Sequence, residues 1–314
     1  MKNLPIKSES FQYVEKSFAA WLDILGYAHQ TVYQLPVYCR ELFYWLEKQQ
    51  GCTQLSQITT PLIKEYYNYL KHRTNTKSAG ALSNGTLNKH LQGLYKLMEY
   101  LRKSGKLKLP YLEISREEKG AKGIDIVTEE QMKALYDITG VHANTPKWEA
   151  IGVRDKAMLA VFYGCGLRRT EAVKLDLEDV NFDRQILHVK NGKNYKERFV
   201  PFSKTTSKIL QNYVYDYRPY FLKERKTAAF FIGCRASRLE GQSLAIRLKL
   251  LIQKSDEIEL QAKDISLHTL RHSIATHLLS AGMKLENISK FLGHSSLEST
   301  QIYTHLVNGN GENI

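Results

Sequence analysis

The stretch that decides the fold spans residues 268–305 and reads HTLRHSIATHLLSAGMKLENISKFLGHSSLESTQIYTH. We predict helices through it, so His268 and Arg271, which are three residues apart, share one helical face. His294 and Tyr303 follow in the same stretch. Imidazole, guanidinium and phenol side chains together can stabilise an attacked phosphodiester and supply a covalent nucleophile without a metal.

A second arginine lies upstream, in the segment Gly166-Leu-Arg168-Arg-Thr-Glu171. Arg168 follows a glycine turn at the end of a predicted apolar helix, where the backbone can approach a ligand. Arginine suits an oxyanion because its planar fork bonds two phosphate oxygens and keeps its charge. Glu171 would share a helical face with Arg168 and orient it, or orient His268. The alternative for both is a solvated surface residue, which is our interpretation of Arg169.

Tyr303 is the predicted nucleophile. A phenol with an ordinary pKa near about 10 needs a cationic site or a base to react at neutral pH. Most of the 19 tyrosines must be ordinary helix residues. Residues 295–298, however, form a capping box that starts a helix just after His294. Tyr303 then lies about two turns into that helix, on a face that His294 can approach.

Arg168 and Arg271 are the predicted clamps on the phosphate oxygens. His268 is predicted as an acid/base group and phosphate ligand, and His294, at a helix entrance, as another donor to a phosphate oxygen. A lone histidine is more often structural than catalytic. We interpret three others in that way, namely His272, His277 and His305.

Lys193 is the predicted general acid for the departing 5′-oxygen. Residues 185–190 and 197–201 have strand patterning, and the turn between them contains Gly192, which predicts a β-hairpin with Lys193 at its tip. The alternative is a lysine that serves solubility. Lys190 and Lys196 are nearby rivals for the role.

The predicted fold class is mainly α with a small antiparallel β-sheet (α+β). Helical spacing of apolar residues predicts a bundle at the N-terminus. Its helices are 8–25, 31–49, one opened by Thr60-Pro61, and 86–103. Pro36 marks a kink in the second helix, or its first turn if that helix starts late.

A linker is predicted next, because residues 113–123 are highly charged and contain two glycines. We therefore expect a helical domain at 1–112, a linker at 113–126 and a second domain at 127–314. In the second domain Thr128 opens a helix with a capping box. A long helix at 203–223 and a third short strand at 228–232 complete the prediction.

The composition indicates a nucleic-acid partner. The formal net charge is +13 and the pI about 9.4, and such a field attracts polyphosphates. A membrane is the competing partner, but we find no lipidation motif and no apolar run of about 18 residues. The four cysteines have no CxxC spacing, so neither a zinc site nor a disulfide framework is expected. These features favour a cytoplasmic protein on DNA.

In chain order, these motifs resemble those of the tyrosine recombinase (phage integrase) family. Residues 166–171 resemble the family's first arginine box, and residues 192–201 look like its β-hairpin lysine segment. His268 to His272, with Leu292 to Tyr303, looks like the second box. The six active-site positions occur in family order with the expected residue types: Arg168, Lys193, His268, Arg271, His294 and Tyr303. The likeness is close over residues 127–306 and loose for the N-terminal half, which resembles a core-binding domain only in being a basic helical bundle.

What the resemblance implies is site-specific recombination of double-stranded DNA without a metal, a nucleotide or another cofactor. The tyrosine would form a 3′-phosphotyrosyl link, and the 5′-hydroxyl of a second strand would then attack it. Monomers from solution would assemble as a homotetramer on the nucleoid and exchange strands through a Holliday junction, with or without accessory DNA-bending proteins. Integration or excision of a mobile element is expected, while inversion and dimer resolution stay open.

Two other functions fit part of the sequence. A non-catalytic DNA-binding regulator explains the charge and the helices, but gives no reason for six aligned catalytic residue types. A type IB topoisomerase uses closely related chemistry. The histidine at position 294 and the compact two-domain length favour a recombinase.

Overall fold

The computed structural model describes residues 3–75, 79–107, 110–118, 125–141, 144–190, 197–294, 300–301 and 303–304. The chain divides into two compact units, Met1–Lys122 and Gly123–Ile314. Each unit has its own apolar core.

The N-terminal unit is a helical bundle, as the spacing predicts. Its helices are α1 Glu9–Ile24, α2 His29–Gln49, α3 Thr60–His72 and α4 Asn84–Lys103. Hydroxyl side chains cap three of them, because Ser8, Thr59 and Ser83 each accept a backbone N–H of the first turn. Since α2 begins at His29, Pro36 lies inside the helix, and the alternative that it forms the first turn is wrong.

Residues 110–118 are bound to the N-terminal unit. The side chain of Asn88 donates to the carbonyl of Glu117 at 2.8 Å and accepts its N–H at 2.9 Å. The hydroxyl of Tyr95 lies 2.8 Å from the carbonyl oxygens of Leu112 and Ile114 and can donate its hydrogen to either. Part of the segment with linker composition is therefore fixed to α4.

His90 is a buried imidazole in this unit, and its Nε2 lies 3.8 Å from a carboxylate oxygen of Glu41. It is 1% exposed, and neither ring nitrogen has a hydrogen-bond partner in the part of the chain that the structure describes. Burial, and then the charge of Arg73, lowers the pKa of His90 from 6.5 to about 3. The folded pKa lies below the unfolded one, so the stability present above pH 6.5 is lost as the pH falls towards 3.

We expect His90→Phe to flatten the acid dependence of stability. Between those two pKa values, wild type should lose up to about 1.4 kcal/mol of unfolding free energy per pH unit through this residue. Urea unfolding in a Trp148→Phe background would follow Trp21 and Trp45, which both lie in this unit. His72→Phe, at an exposed histidine, should leave the slope unchanged. Equal slopes for wild type and His90→Phe would contradict the prediction.

The C-terminal unit is also mainly helical. Its helices are α5 Glu129–Ile138, α6 Pro146–Leu159, α7 Arg169–Lys174, α8 Lys204–Gln211, α9 Arg218–Leu222, α10 Gly241–Lys254, α11 Ile258–Ala262, α12 Leu267–Ser280 and α13 Leu285–Leu292. The predicted capping box of Thr128 is present at the start of α5. A π-helical segment, Asn212–Tyr217, joins α8 to α9, so the long helix predicted at 203–223 is confirmed.

A small antiparallel sheet completes this unit. It has the order β1 Val180–Asn181, β2 Ile186–Val189 and β3 Arg198–Pro201. Ile186 pairs with Pro201 and Val189 with Arg198, as the predicted hairpin requires. The strand predicted at 228–232 is wrong, because Ala229 and Ile232 make isolated bridges only. The fold class, mainly α with a small antiparallel sheet, is confirmed.

Helix α6 lies at the centre of the C-terminal unit. It continues as a π-helical turn, Ala160–Gly164, and packs against α8, α9, α10 and α12. Most of its residues are buried, so the position of the loop that follows it is well fixed. Among the described helices, none combines the length and apolar character needed to cross a membrane.

Candidate active site

A sharp turn after α6 positions Arg168 in the site. Gly166 has a φ of +59°, in the left-handed region that side chains with a Cβ rarely adopt. A Cβ at this position would also lie 2.9 Å from Cδ2 of Leu292. Both the positive φ and the lack of room for a Cβ therefore favour glycine at position 166. Arg168 then caps the N-terminus of α7.

Glu171 is the centre of the ion pairs in the site, and its side chain is 2% exposed. Its two carboxylate oxygens accept the backbone N–H and the Nη1 of Arg168, both at 2.8 Å. They also accept Nη1 and Nη2 of Arg198, at 3.0 and 2.9 Å. Burial raises the pKa of Glu171, but Arg198 and then Arg168 outweigh it and lower the pKa to about 2. The carboxylate therefore stays charged and fixes both guanidinium groups.

Three consecutive carbonyls at the end of α13, which we call the α13 carbonyl triplet (Phe291, Leu292 and Gly293), bind three arginines. The pairs are Arg198 Nε to Phe291 O at 3.0 Å, Arg271 Nη2 to Leu292 O at 2.6 Å, and Arg168 Nη2 to Gly293 O at 3.0 Å. The last carbonyls of a helix lack intrahelical partners and carry partial negative charge, so they attract cations. Side chains from distant parts of the sequence are thereby held side by side.

Arg271 is buried, at 1% exposure. Its Nη1 donates to the carbonyl of Gly166 at 2.6 Å, and the nearest carboxylate oxygen, on Glu171, is 3.8 Å away. Burial, and then the charge of Arg168, lowers the pKa of Arg271 to about 9, so it remains a cation at neutral pH. Three guanidinium groups and one carboxylate give the cluster an excess of positive charge, which an anion such as a phosphate would neutralise.

His294 follows the end of α13. Gly293 ends this helix with a φ of +66°, and Nδ1 of His294 forms a 2.8 Å hydrogen bond with Oγ1 of Thr300. Burial, and then the charges of Arg271 and Arg168, lowers the pKa of His294 to about 4. The ring is therefore neutral at neutral pH, and its single N–H is available to donate from Nε2 when Nδ1 accepts the hydroxyl of Thr300.

Tyr303 is 1% exposed and packs in a small apolar cluster with Ala275, Ile288 and Leu292. Its ring lies nearly parallel to that of His294, with the centroids 6.2 Å apart. Burial raises the pKa of the phenol, while the charges of Arg271 and Arg168 oppose that rise. The phenol is thus within the electrostatic reach of both arginines.

Helix α12 presents His268, Arg271 and His272 together. His268 is exposed, and its ring contacts that of His272 edge-on, with centroids 4.4 Å apart. Partial desolvation of its ring, and then the charges of Arg271 and Arg168, lowers the pKa of His268. Nδ1 of His272 lies 3.0 Å from the hydroxyl of Tyr303. The arrangement combines a buried phenol, neutral imidazoles and fixed cations, which are the groups needed for transesterification at a phosphate.

The family model for the phage integrase family matches residues 125–309, more than half of the chain. The chain belongs to the phage integrase family. Tyrosine recombinase XerD of Lacticaseibacillus casei is 33% identical over 241 residues, which cover 76% of this chain and 77% of that protein. Tyrosine recombinase XerC of Natranaerobius thermophilus is 30% identical and covers 81% of this chain and 80% of its own. The protein is a site-specific tyrosine recombinase, an enzyme that transfers DNA strands.

Solved structures of recombinases share the fold. XerH site-specific recombinase bound to palindromic difH substrate, a post-cleavage complex, has a TM-score of 0.70 at 20% identity and covers 96% of this chain and 83% of its own. The Tn1549 transposon integrase in complex with a circular intermediate DNA has a TM-score of 0.68 at 17% identity, and covers 92% of this chain and 94% of its own. At these identities the likeness concerns the fold alone.

The recombinase fold brings most of the predicted site residues together. They are Arg168, Glu171, His268, Arg271, His294 and Tyr303. The predicted link between Glu171 and Arg168 is present. Lys193 and its rival Lys196 lie outside the described residues, as do the capping box at 295–298 and His305.

Lys190, the other rival, is paired with two carboxylates. Its Nζ lies 2.6 Å from Glu178 and 2.7 Å from Asp179. The carboxylates of Asp179 and Glu178 raise the pKa of Lys190, which makes it a poorer proton donor. The structure therefore weighs against Lys190 as the general acid.

The sequence analysis gave no role to Arg198 and interpreted His272 as structural, although each had a signal for a place in the site. In β3, Arg198 shares a face with Val200, which is fully buried, and a charged residue on an inward face needs a partner. His272 lies four residues after His268 on α12, so the two share a helical face with Arg271. Within the described residues, no group of three or more His, Cys, Asp and Glu side chains is arranged to hold a metal ion.

Arg198→Ala is expected to lower both the stability and the cleavage rate of the recombinase. It leaves the buried Glu171 without its bidentate partner and frees the Phe291 carbonyl, at a cost of about 3 kcal/mol of unfolding free energy. Arg238 offers a control, because it likewise joins a carboxylate to backbone carbonyls, those of Val173 and Leu175, but lies outside the cluster. Thermal melting and single-turnover cleavage of both alanine variants would test this. A normal cleavage rate in Arg198→Ala would contradict it.

Proposed function

We propose that Tyr303 attacks a DNA phosphate and forms a 3′-phosphotyrosyl intermediate. The observation that carries this proposal is the convergence of the buried Tyr303 phenol with Arg168 and Arg271, which come from two distant segments. Arg168 and Arg271 bind the non-bridging oxygens, where negative charge develops in the transition state. Glu171 holds Arg168 in place through its hydrogen bonds.

The histidines and Lys193 supply donors and protons in this proposal. His268 is an acid/base group and a phosphate ligand, supported by its exposure beside the cluster. His294 donates its remaining N–H to a phosphate oxygen. Lys193 gives a proton to the departing 5′-oxygen, a role that rests on its position in the hairpin sequence. The 5′-hydroxyl of a second strand then attacks the phosphotyrosine, so that bond energy is retained without a metal or a nucleotide.

We propose further that a domain at 1–112 and a catalytic domain at 127–314, joined through 113–126, both bind the target duplex. The formal charge of +13 supports binding to the DNA backbone. Monomers would assemble as a homotetramer on two duplexes in the nucleoid and exchange strands through a Holliday junction. The reaction would integrate or excise a mobile element, alone or with DNA-bending proteins. An apolar groove of about 840 Å³ in the C-terminal unit, lined by Tyr136, Phe202 and Leu278 among others, supports a contact between subunits.

The decisive experiment uses a suicide substrate, a nicked duplex that carries the recombination site, in the presence of EDTA. We expect a covalent protein–DNA adduct, and peptide mapping should place the modified residue at Tyr303. No adduct under any condition would favour a non-catalytic DNA-binding protein. Relaxation of supercoiled plasmid that lacks the site would favour a topoisomerase.

A further inference from the structure

The hydroxyl of Tyr303 has a fixed partner in the recombinase. Among the described residues, its hydrogen-bond partner is Nδ1 of His272 at 3.0 Å. The ring of Tyr303 is enclosed by Ala275, Ile288 and Leu292, so the direction of its C–O bond is set by packing. The contact is therefore part of the buried site and not a chance approach at the surface.

The two groups are both neutral at neutral pH. Burial, and then His268 and Arg271, lowers the pKa of His272 to about 4. Burial raises the pKa of Tyr303, so the phenol keeps its proton. A neutral imidazole has one acceptor nitrogen and one N–H, and a buried phenol O–H needs an acceptor. Nδ1 of His272 meets that need when the ring hydrogen is on Nε2.

We propose that His272 is a catalytic residue that accepts the proton of the Tyr303 phenol through Nδ1 as the phenol attacks the phosphate. This inference rests on the proposed role of Tyr303 as nucleophile. It separates the tasks of the two histidines on α12. His268 has no hydrogen bond to the phenol and is exposed, which leaves it free for the phosphate.

The proton and electron pairs balance across the cleavage step. The phenol O–H bond breaks, its proton moves to Nδ1 of His272, and the oxygen uses the released pair to bond phosphorus. The bond between phosphorus and the 5′-oxygen breaks, and that oxygen leaves with the electron pair and takes a proton from the general acid. In religation the 5′-hydroxyl returns its proton to the conjugate base of the general acid, and its oxygen bonds phosphorus. The bond between phosphorus and the Tyr303 oxygen breaks, and that oxygen keeps the electron pair and takes the proton back from His272.

The test compares His272→Asn with a matched control on the same helix. Asparagine can keep a hydrogen bond to the phenol but cannot take its proton. His277 also bonds a tyrosine through Nδ1, with the hydroxyl of Tyr163 at 2.8 Å, so His277→Asn removes an equivalent His–Tyr pair outside the site. Both variants and wild type would be assayed for single-turnover adduct formation, and for binding of uncleaved duplex.

Two suicide substrates separate proton removal from leaving-group protonation. One carries the normal 5′-oxygen, and the other carries a bridging 5′-sulfur, which departs without an acid. We expect His272→Asn to slow adduct formation at least about 100-fold on both substrates, with duplex binding unchanged and His277→Asn at the wild-type rate. Rescue of His272→Asn by the sulfur would assign it to the leaving group and overturn the proposal, as would a wild-type rate on the oxygen substrate.

A measurement on wild type alone covers the case in which His272→Asn fails to fold. Nitrogen-15 NMR of the histidine rings reports which nitrogen carries the hydrogen, and we expect an unprotonated Nδ1 on His272. A hydrogen on Nδ1 would overturn the proposal. Failure of the underlying function is recognised separately, because wild type would then form no adduct or would form it at a residue other than Tyr303.

Discussion

Tyr303→Phe is expected to abolish the covalent adduct, reducing its rate of formation by at least about 10⁴-fold. The substitution removes one oxygen and leaves the ring in the pocket made by Ala275, Ile288 and Leu292. The loss of the 3.0 Å hydrogen bond to His272 should cost about 1 kcal/mol of unfolding free energy. Chemistry should therefore be lost while the fold and DNA binding are kept.

A suicide substrate resolved on a denaturing gel measures the adduct, and a mobility shift measures binding. Tyr163→Phe is the matched control, since it removes the hydroxyl of the other His–Tyr pair and should form the adduct normally. Adduct formation by Tyr303→Phe at a rate near that of wild type would show that the nucleophile is another residue. Loss of duplex binding in this variant would show that the effect is structural.

Arg271→Ala is expected to have the second largest effect. Removal of one fixed donor to a developing oxyanion costs about 10²- to 10³-fold in rate. Arg271 also bridges the carbonyls of Gly166 and Leu292, and each buried carbonyl left without a donor costs about 1–3 kcal/mol. The variant should therefore be both slow and less stable. Lysine should rescue it poorly, because one ammonium cannot replace a planar fork.

The variant Arg218→Ala separates the loss of stability from the loss of cleavage rate. Arg218 is 4% exposed and likewise donates to backbone carbonyls, those of Thr227, Ala229 and Phe230, but it lies outside the cluster. Its loss should lower the melting temperature without a comparable loss of cleavage at a temperature where the variant is folded. Equal cleavage rates for Arg271→Ala and Arg218→Ala at matched stability would remove the case for a direct role of Arg271.

The fold was predictable where local chemistry decides it. The capping box at Thr128 and apolar residues at helical spacing mark the helices without reference to the rest of the chain. Strand β1 was not predictable from the sequence, because its two residues, Val180–Asn181, are too few to show any periodicity. The apolar run at 228–232 was misleading, since burial and not strand pairing explains its composition.

In the candidate site, too, contacts between residues close in sequence were predictable and long-range contacts were not. The i, i+3 spacing of Arg168 and Glu171 predicts their contact, and the same spacing predicts a shared face for His268 and Arg271. The partnership of Glu171 with Arg198 joins a helix to a strand that is distant in sequence. It depends on tertiary packing, which residue spacing does not encode. The hydrogen bond between the Tyr303 hydroxyl and His272 could not be predicted for the same reason.

The α13 carbonyl triplet has a consequence for how a target is selected. Backbone carbonyls orient the three guanidinium groups before any nucleic acid arrives, and a phosphate offers them the same oxygens whatever bases it connects. If these arginines bind the DNA phosphate as proposed, the cluster accepts any step along a duplex equally well. Discrimination between one locus and another must come from surfaces that touch base edges or sense the bending of the helix, so altered target preference should be sought there and not among the arginines.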